Sequence, residues 1–93
     1  MANKNIIRIR KKLDKLDNIF LNILQQRVIL VKEVLKNKKF KKEIVDKKGI
    51  NIILKNIAKK SKQKGIDPLI TKKIWKSMIK GFIDFEYKNF KKK

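Results

Sequence analysis

The chain of 93 residues contains no cysteine and no histidine. The missing cysteines exclude disulfide bonds and thiolate metal sites, and the missing histidines remove the commonest metal ligand and general base. With one proline and three glycines, few positions would interrupt a helix. Any chemistry must therefore use carboxylates, lysine and arginine.

Long apolar runs are also missing from the sequence. No stretch approaches the roughly 20 apolar residues of a membrane span, and the first residues lack the apolar run of a secretory signal. We therefore expect a soluble, cytoplasmic protein. A chain of this length is expected to form one domain, residues 1–93, whose core would be small for a monomer.

Acidic residues are scarce: 8 Asp and Glu stand against 28 Lys and Arg, which gives a formal net charge of +20. Such a charge attracts polyanions and small anions alike. A basic helical nucleic-acid-binding protein is therefore one class to consider, and a steep salt dependence of binding would identify it. The small number of arginines and aromatic residues argues against that class, since these side chains read and stack on bases.

A long helix is predicted from about Asn3 to Lys38, a segment without glycine or proline. Its apolar residues alternate at spacings of three and four, which is typical of a helical seam. A helix of this length measures about 50 Å and cannot fold back on itself, so it must pack against other long helices. Some of these are expected to come from a second copy of the chain. The apolar seam consists of Ile6, Ile9, Leu13, Leu16, Phe20, Ile23, Leu30 and Val34.

A shorter helix is predicted from about residue 47 to residue 62, after a connection at 39–45. Asp46 is placed to cap its N-terminus. Gly49 lies close to that end and costs up to about 1 kcal/mol relative to alanine in a helix. Gly65 suits the left-handed position that follows a helix C-terminus.

A third helix is predicted from about residue 68 to residue 91. Asp67 and Pro68 form a specific start signal, an N-cap followed by proline in the first helical position. No segment has the pattern of a strand, and there is no internal repeat. The fold class is therefore all-α, with one very long, one short and one medium helix.

Three charged residues occupy positions where chemistry or pairing is expected. Arg27 interrupts the apolar seam, so it needs a carboxylate partner, fixes the helix register or binds an anion. Lys38 follows eleven residues later on the same helix face and is either a solvated lysine or a second anion ligand. Glu86 lies between Phe82 and Phe90 on an apolar stripe. It is either a partner for a lysine or a protonated hydrogen-bond donor.

The order of these residues resembles the all-helical chorismate mutase family. The resemblance covers about residues 6 to 90 and is most specific in the segment RKKLDKLDNIFLNILQQR and the lysine that follows it. It implies an intertwined homodimeric helical bundle and a Claisen rearrangement of chorismate to prephenate, within aromatic amino-acid biosynthesis and without a cofactor or metal. The matching positions are Arg10, Leu13, Asp14, Leu16, Asp17, Leu24, Arg27, Val34, Lys38, Asp46, Ile53, Leu54, Gly65, Ile66, Asp67 and Glu86.

The resemblance also implies a role for each site residue. Arg27 would hold one substrate carboxylate, and Arg10 of the second subunit would hold the other. Lys38 would donate to the ether oxygen, and Asp46 would hold the region of the ring hydroxyl. Glu86 would be a second donor to the ether oxygen, which requires a proton on its carboxyl group, so activity should fall as the pH rises.

Two features depart from the mutase pattern. Gly49 and Ile50 stand where the family usually has Arg and Glu, and that glutamate accepts a hydrogen bond from the substrate hydroxyl. Phe82 stands where many mutases carry a small polar residue. Both features resemble the related isochorismate-pyruvate lyases, which share the fold and eliminate pyruvate. Asp46 favours the mutase, because those lyases lack it.

Overall fold

A computed structural model of the protein describes residues 3–91 and shows an all-α fold, as predicted. No strand is present in this part of the chain. None of its helices is both long enough and apolar enough to cross a lipid bilayer. The elements in chain order are helix α1 (Lys4–Asn37), a 3₁₀ turn (Lys41–Glu43), helix α2 (Lys47–Gln63) and helix α3 (Pro68–Asn89).

Helices α1 and α3 both end at an asparagine. The side-chain amide of Asn37 donates to the carbonyl oxygen of Glu33 at 2.9 Å, and that of Asn89 donates to Phe85 at 2.8 Å. Both carbonyl groups lie four residues back, where the backbone N–H of the same asparagine also bonds in an α-helix, so the side-chain amide adds a second donor to each. Helix α3 ends two residues before the predicted position 91, and Phe90 is extended.

Both predicted signals of helix α2 are confirmed. Asp46 has an extended backbone, and its carboxylate accepts the N–H of Gly49 at 3.0 Å. At the other end Gly65 has a φ of 72°. The N–H groups of Gly65 and Ile66 donate to Lys62 and Ser61 at 3.1 and 2.8 Å, which is the Schellman arrangement.

Helix α3 begins at the predicted start signal and packs against α2. Asp67 accepts the N–H of Leu69 at 3.0 Å, and Pro68 occupies the first turn. A hydrogen bond of 2.7 Å joins the buried hydroxyl groups of Ser61 and Thr71 across the two helices. Each hydroxyl also lies within hydrogen-bond distance of a carbonyl oxygen of its own helix, so one hydroxyl donates across to the other and the other donates to its carbonyl oxygen.

The chain divides between Val31 and Lys32 into two compact units. Only two apolar residues of the described chain are buried, Leu35 and Ile44, and both belong to the second unit. The apolar seam on α1 is exposed in the single chain, with Leu16 at 59% and Phe20 at 47%. A single domain and a second copy that covers this seam remain predictions.

Candidate active site

The ammonium group of Lys38 and the carboxylate of Glu86 meet in the second unit. Lys38 Nζ donates to Glu86 Oε1 at 2.8 Å. The exposed fractions of these side chains are 19% and 9%, so the pair is largely removed from water. Low exposure strengthens the attraction but also makes the loss of either partner costly.

Local structure explains why the two groups meet. Lys38 directly follows the end of α1. Its backbone N–H donates to the carbonyl oxygen of Leu35 at 3.2 Å, and this bond holds Lys38 against the last turn of the helix. Glu86 lies in the last turns of α3 between Phe82 and Phe90, which are both half-buried. The interpretation of Lys38 as a solvated lysine is therefore wrong. The interpretation of Glu86 as the partner of a lysine is confirmed.

Asp46 is exposed at the N-terminus of α2, where Oδ1 accepts the N–H of Gly49. Its predicted role as a helix cap is confirmed, and its role toward a substrate hydroxyl remains a prediction. Ile50 follows in the first turn of α2 and is half-buried. An aliphatic side chain at this position offers no hydrogen-bond acceptor.

The two arginines of the predicted site lie on α1 in the first unit. Arg10 is exposed and Arg27 is half-buried. The sequence predicts a core position for Arg27, but the apolar seam around it is exposed in the single chain. The roles of both arginines therefore remain predictions that depend on a second copy of the chain.

Two surface cavities of the second unit lie elsewhere. One of about 340 Å³ has Leu35, Phe85 and Phe90 in its wall, and one of about 450 Å³ lies between α2 and α3 beside Leu54 and Leu69. Lys38, Asp46 and Glu86 line neither of them. Within residues 3–91, no group of three or more acidic side chains is arranged to hold a metal ion.

The fold and the site define a class of protein: an all-α protein that contains a lysine–glutamate pair largely removed from water. The family model of chorismate mutase type II matches residues 9–87, so the chain belongs to that family. Membership supports chorismate mutase activity in general, which is the activity of an isomerase. Neither a curated protein nor a solved structure matches the chain.

Proposed function

We propose that the protein converts chorismate to prephenate and that Lys38 and Glu86 act on the ether oxygen. The observation that carries this proposal is the contact of 2.8 Å between two poorly exposed charged groups at the positions that resemble the catalytic donors of the family. In the rearrangement the bond between the ring carbon and the ether oxygen breaks while a new carbon–carbon bond forms. No proton or electron leaves the substrate, so neither a base nor a redox group is required.

Negative charge develops on the ether oxygen as its bond to the ring breaks. Lys38 carries three N–H donors, so its ammonium group can turn from Glu86 toward this oxygen and a substrate carboxylate. A donor fixed in advance stabilises the transition state more than a mobile water molecule does. Glu86 can donate as well once its carboxyl group carries a proton.

A second copy of the chain would complete the site. The exposed seam on α1 and the presence of only two buried apolar residues in the described chain support an intertwined homodimer. In that dimer Arg27 of one subunit and Arg10 of the other hold the two carboxylates of the substrate. If either arginine were replaced by a neutral residue, the substrate would no longer be held in its reactive conformer.

Glu86→Gln is expected to raise kcat/KM for chorismate. Glutamine always carries a hydrogen-bond donor toward the ether oxygen, whereas the carboxylate that pairs with Lys38 offers only acceptors. Steady-state kinetics with chorismate for both proteins measure the effect. Glu43→Gln is the matched control, because Glu43 is exposed and its carboxylate accepts the backbone N–H of Lys39. Equal kcat/KM for the wild type and Glu86→Gln would contradict a donor role at this position.

Ile50 favours a second candidate function, elimination of pyruvate from isochorismate. The half-buried isoleucine stands in the first turn of α2, where the mutases carry a glutamate that accepts from the ring hydroxyl. Ile50→Glu is therefore expected to raise kcat/KM for chorismate by roughly tenfold, the value of one added hydrogen bond to a charged group. Ile50→Gln, of similar size, separates the gain of charge from the gain of polarity. No gain in either variant would show that other groups hold the hydroxyl.

Separate assays with chorismate and isochorismate, with products separated by chromatography, test the proposed function directly. Prephenate from chorismate supports the mutase. Salicylate and pyruvate from isochorismate would replace it with the lyase. No product from either substrate would contradict both, and a steep salt dependence of binding to nucleic acid would then favour the class suggested by the net charge of +20.

A further inference from the structure

Helices α2 and α3 form a groove between them on the surface of the second unit, which we call the hairpin groove. Its volume is about 450 Å³, and its wall combines apolar side chains with lysines from both helices. Leu54 and Ala58 of α2 and Pro68 of α3 are half-buried members of this wall. The groove lysines are Lys55 of α2 and Lys72 and Lys76 of α3.

An exposed leucine enlarges the apolar part of the hairpin groove. Leu69 lies in the groove wall in the first turn of α3. At 64% it is the most exposed large apolar side chain of residues 3–91. A single exposed leucine is ordinary on a protein surface, but this one adjoins the apolar wall. Together they offer a surface that an aliphatic side chain of a partner can cover.

The charge around the groove has one sign. Six of the 17 residues of α2 are lysine and none is acidic, and α3 has no acidic residue before Asp84. Like charges four residues apart on a helix repel each other by about 0.2–0.5 kcal/mol, and Lys72 and Lys76 form such a pair. The stability of the helices therefore does not explain this arrangement, whereas a negatively charged partner gains from it.

The wall of the groove favours an acidic protein segment over nucleic acid. It contains no aromatic side chain and no arginine among its described residues. Single-stranded nucleic acids stack on aromatic side chains, and arginine is the commonest reader of base edges. A second copy of the chain matches the groove poorly, because its own net charge of +20 would meet the groove lysines.

We propose that the hairpin groove docks an acidic segment of another protein, in which carboxylate and aliphatic side chains alternate as on an amphipathic helix. The carboxylates pair with the groove lysines, and an aliphatic side chain covers Leu69. The groove residues of α2 extend from position 51 to position 58, about 10 Å, so two to three turns of a helix fill it. This inference goes beyond the proposed function and does not rest on it, because Lys38, Asp46 and Glu86 line no part of the groove.

A labelled acidic peptide tests the groove directly. The probe has about 12 residues, or about three helical turns, with leucine at every third or fourth position among glutamates. Fluorescence anisotropy with the full chain should show saturable binding. The same peptide with serine in place of leucine should bind at least about tenfold more weakly, because only its charges remain. No saturable binding, or equal affinity for the two peptides, would overturn the inference.

A triple variant with glutamine in place of the three groove lysines is expected to bind the leucine peptide about 5- to 100-fold more weakly. This range follows from the loss of three exposed ion pairs. The control triple removes the same charge from exposed positions of α1 and should keep most of the affinity. Equal losses in both triples would overturn the groove as the docking site, since net charge alone would then attract the peptide. The control substitutions are Lys4→Gln, Lys11→Gln and Lys15→Gln.

Leu69→Ser tests the apolar contact separately from charge. It is expected to weaken binding of the leucine peptide by about five- to tenfold, because an exposed leucine is no longer covered. Ile52→Ser is the matched control, since Ile52 is 60% exposed on α2 and lies outside the groove wall. Equal effects of the two substitutions would overturn the contact with Leu69.

Competition identifies the class of partner. Single-stranded oligothymidylate with the same number of negative charges should displace the labelled peptide only at higher concentration than the unlabelled peptide does. Displacement at lower concentration would overturn the protein segment in favour of nucleic acid. If the wild type converts neither chorismate nor isochorismate, the proposed function fails, whereas these binding measurements still decide whether the groove docks an acidic segment.

Discussion

Lys38→Ala is expected to lower kcat/KM for chorismate by about 100- to 1,000-fold, the loss that follows removal of one fixed donor to a developing negative charge. Steady-state kinetics with chorismate measure this loss. Lys39→Ala is the matched control, since Lys39 is the next residue along the chain and is exposed. Equal activity of Lys38→Ala and the wild type would exclude Lys38 from catalysis.

The same substitution leaves Glu86 without its partner at 9% side-chain exposure. An unpaired carboxylate in such a place destabilises the fold by a few kcal/mol, about the cost of breaking a buried ion pair. The double variant Lys38→Ala, Glu86→Gln removes the stranded charge and is expected to recover part of this stability. It should recover none of the activity, because the ammonium donor is still missing. Urea unfolding of the single and double variants therefore separates the two roles of the pair.

Leu16→Asp is expected to convert the proposed dimer into a poorly folded monomer. Leu16 is 59% exposed in the single chain and lies in the middle of the apolar seam. Burying one leucine side chain at the interface contributes about 2 kcal/mol to the free energy of association, and the dimer would lose this contribution twice, once for each subunit. The dissociation constant should then rise by roughly a thousandfold, before the cost of an unpaired carboxylate is added. Sedimentation equilibrium and far-ultraviolet circular dichroism measure the two effects.

Asn18→Asp provides the control for the seam. Asn18 is two residues from Leu16 and therefore about 200° away around the helix, on the opposite face. The same charge is added there without the loss of an apolar contact, so the dimer and the helical content should persist. A wild-type protein that sediments as a monomer at micromolar concentration would contradict the proposed dimer and the role of Arg10 of the second subunit.

Local signals in the sequence predicted most of the fold. Helix ends were placed correctly where a residue favours a cap or turn by its own chemistry, because such a preference depends only on neighbours in the sequence. These residues are Asp46, Gly65, Asp67 and Pro68. The end of α3 was missed by two residues, because neither glycine nor proline follows Asn89 to mark it.

The candidate site was predictable in part. The position of Glu86 among phenylalanines indicated a poorly exposed carboxyl group, but its partner was undetermined because the chain holds 28 basic residues. Only the tertiary structure selects Lys38 among them. The close approach of the Asp46 carboxylate to Gly49 could not be predicted from spacing either, since it depends on the side-chain rotamer of Asp46.

The separation of contacts along the chain has a consequence for the order of folding. The hydroxyl groups of Ser61 and Thr71 are ten residues apart in sequence, whereas Lys38 and Glu86 are 48 residues apart. Closing a longer loop costs more entropy, and contacts between distant residues slow folding. Our hypothesis is that the hairpin of α2 and α3 forms early and the lysine–glutamate pair closes late. Catalytic competence would then be the last property that a newly made chain acquires.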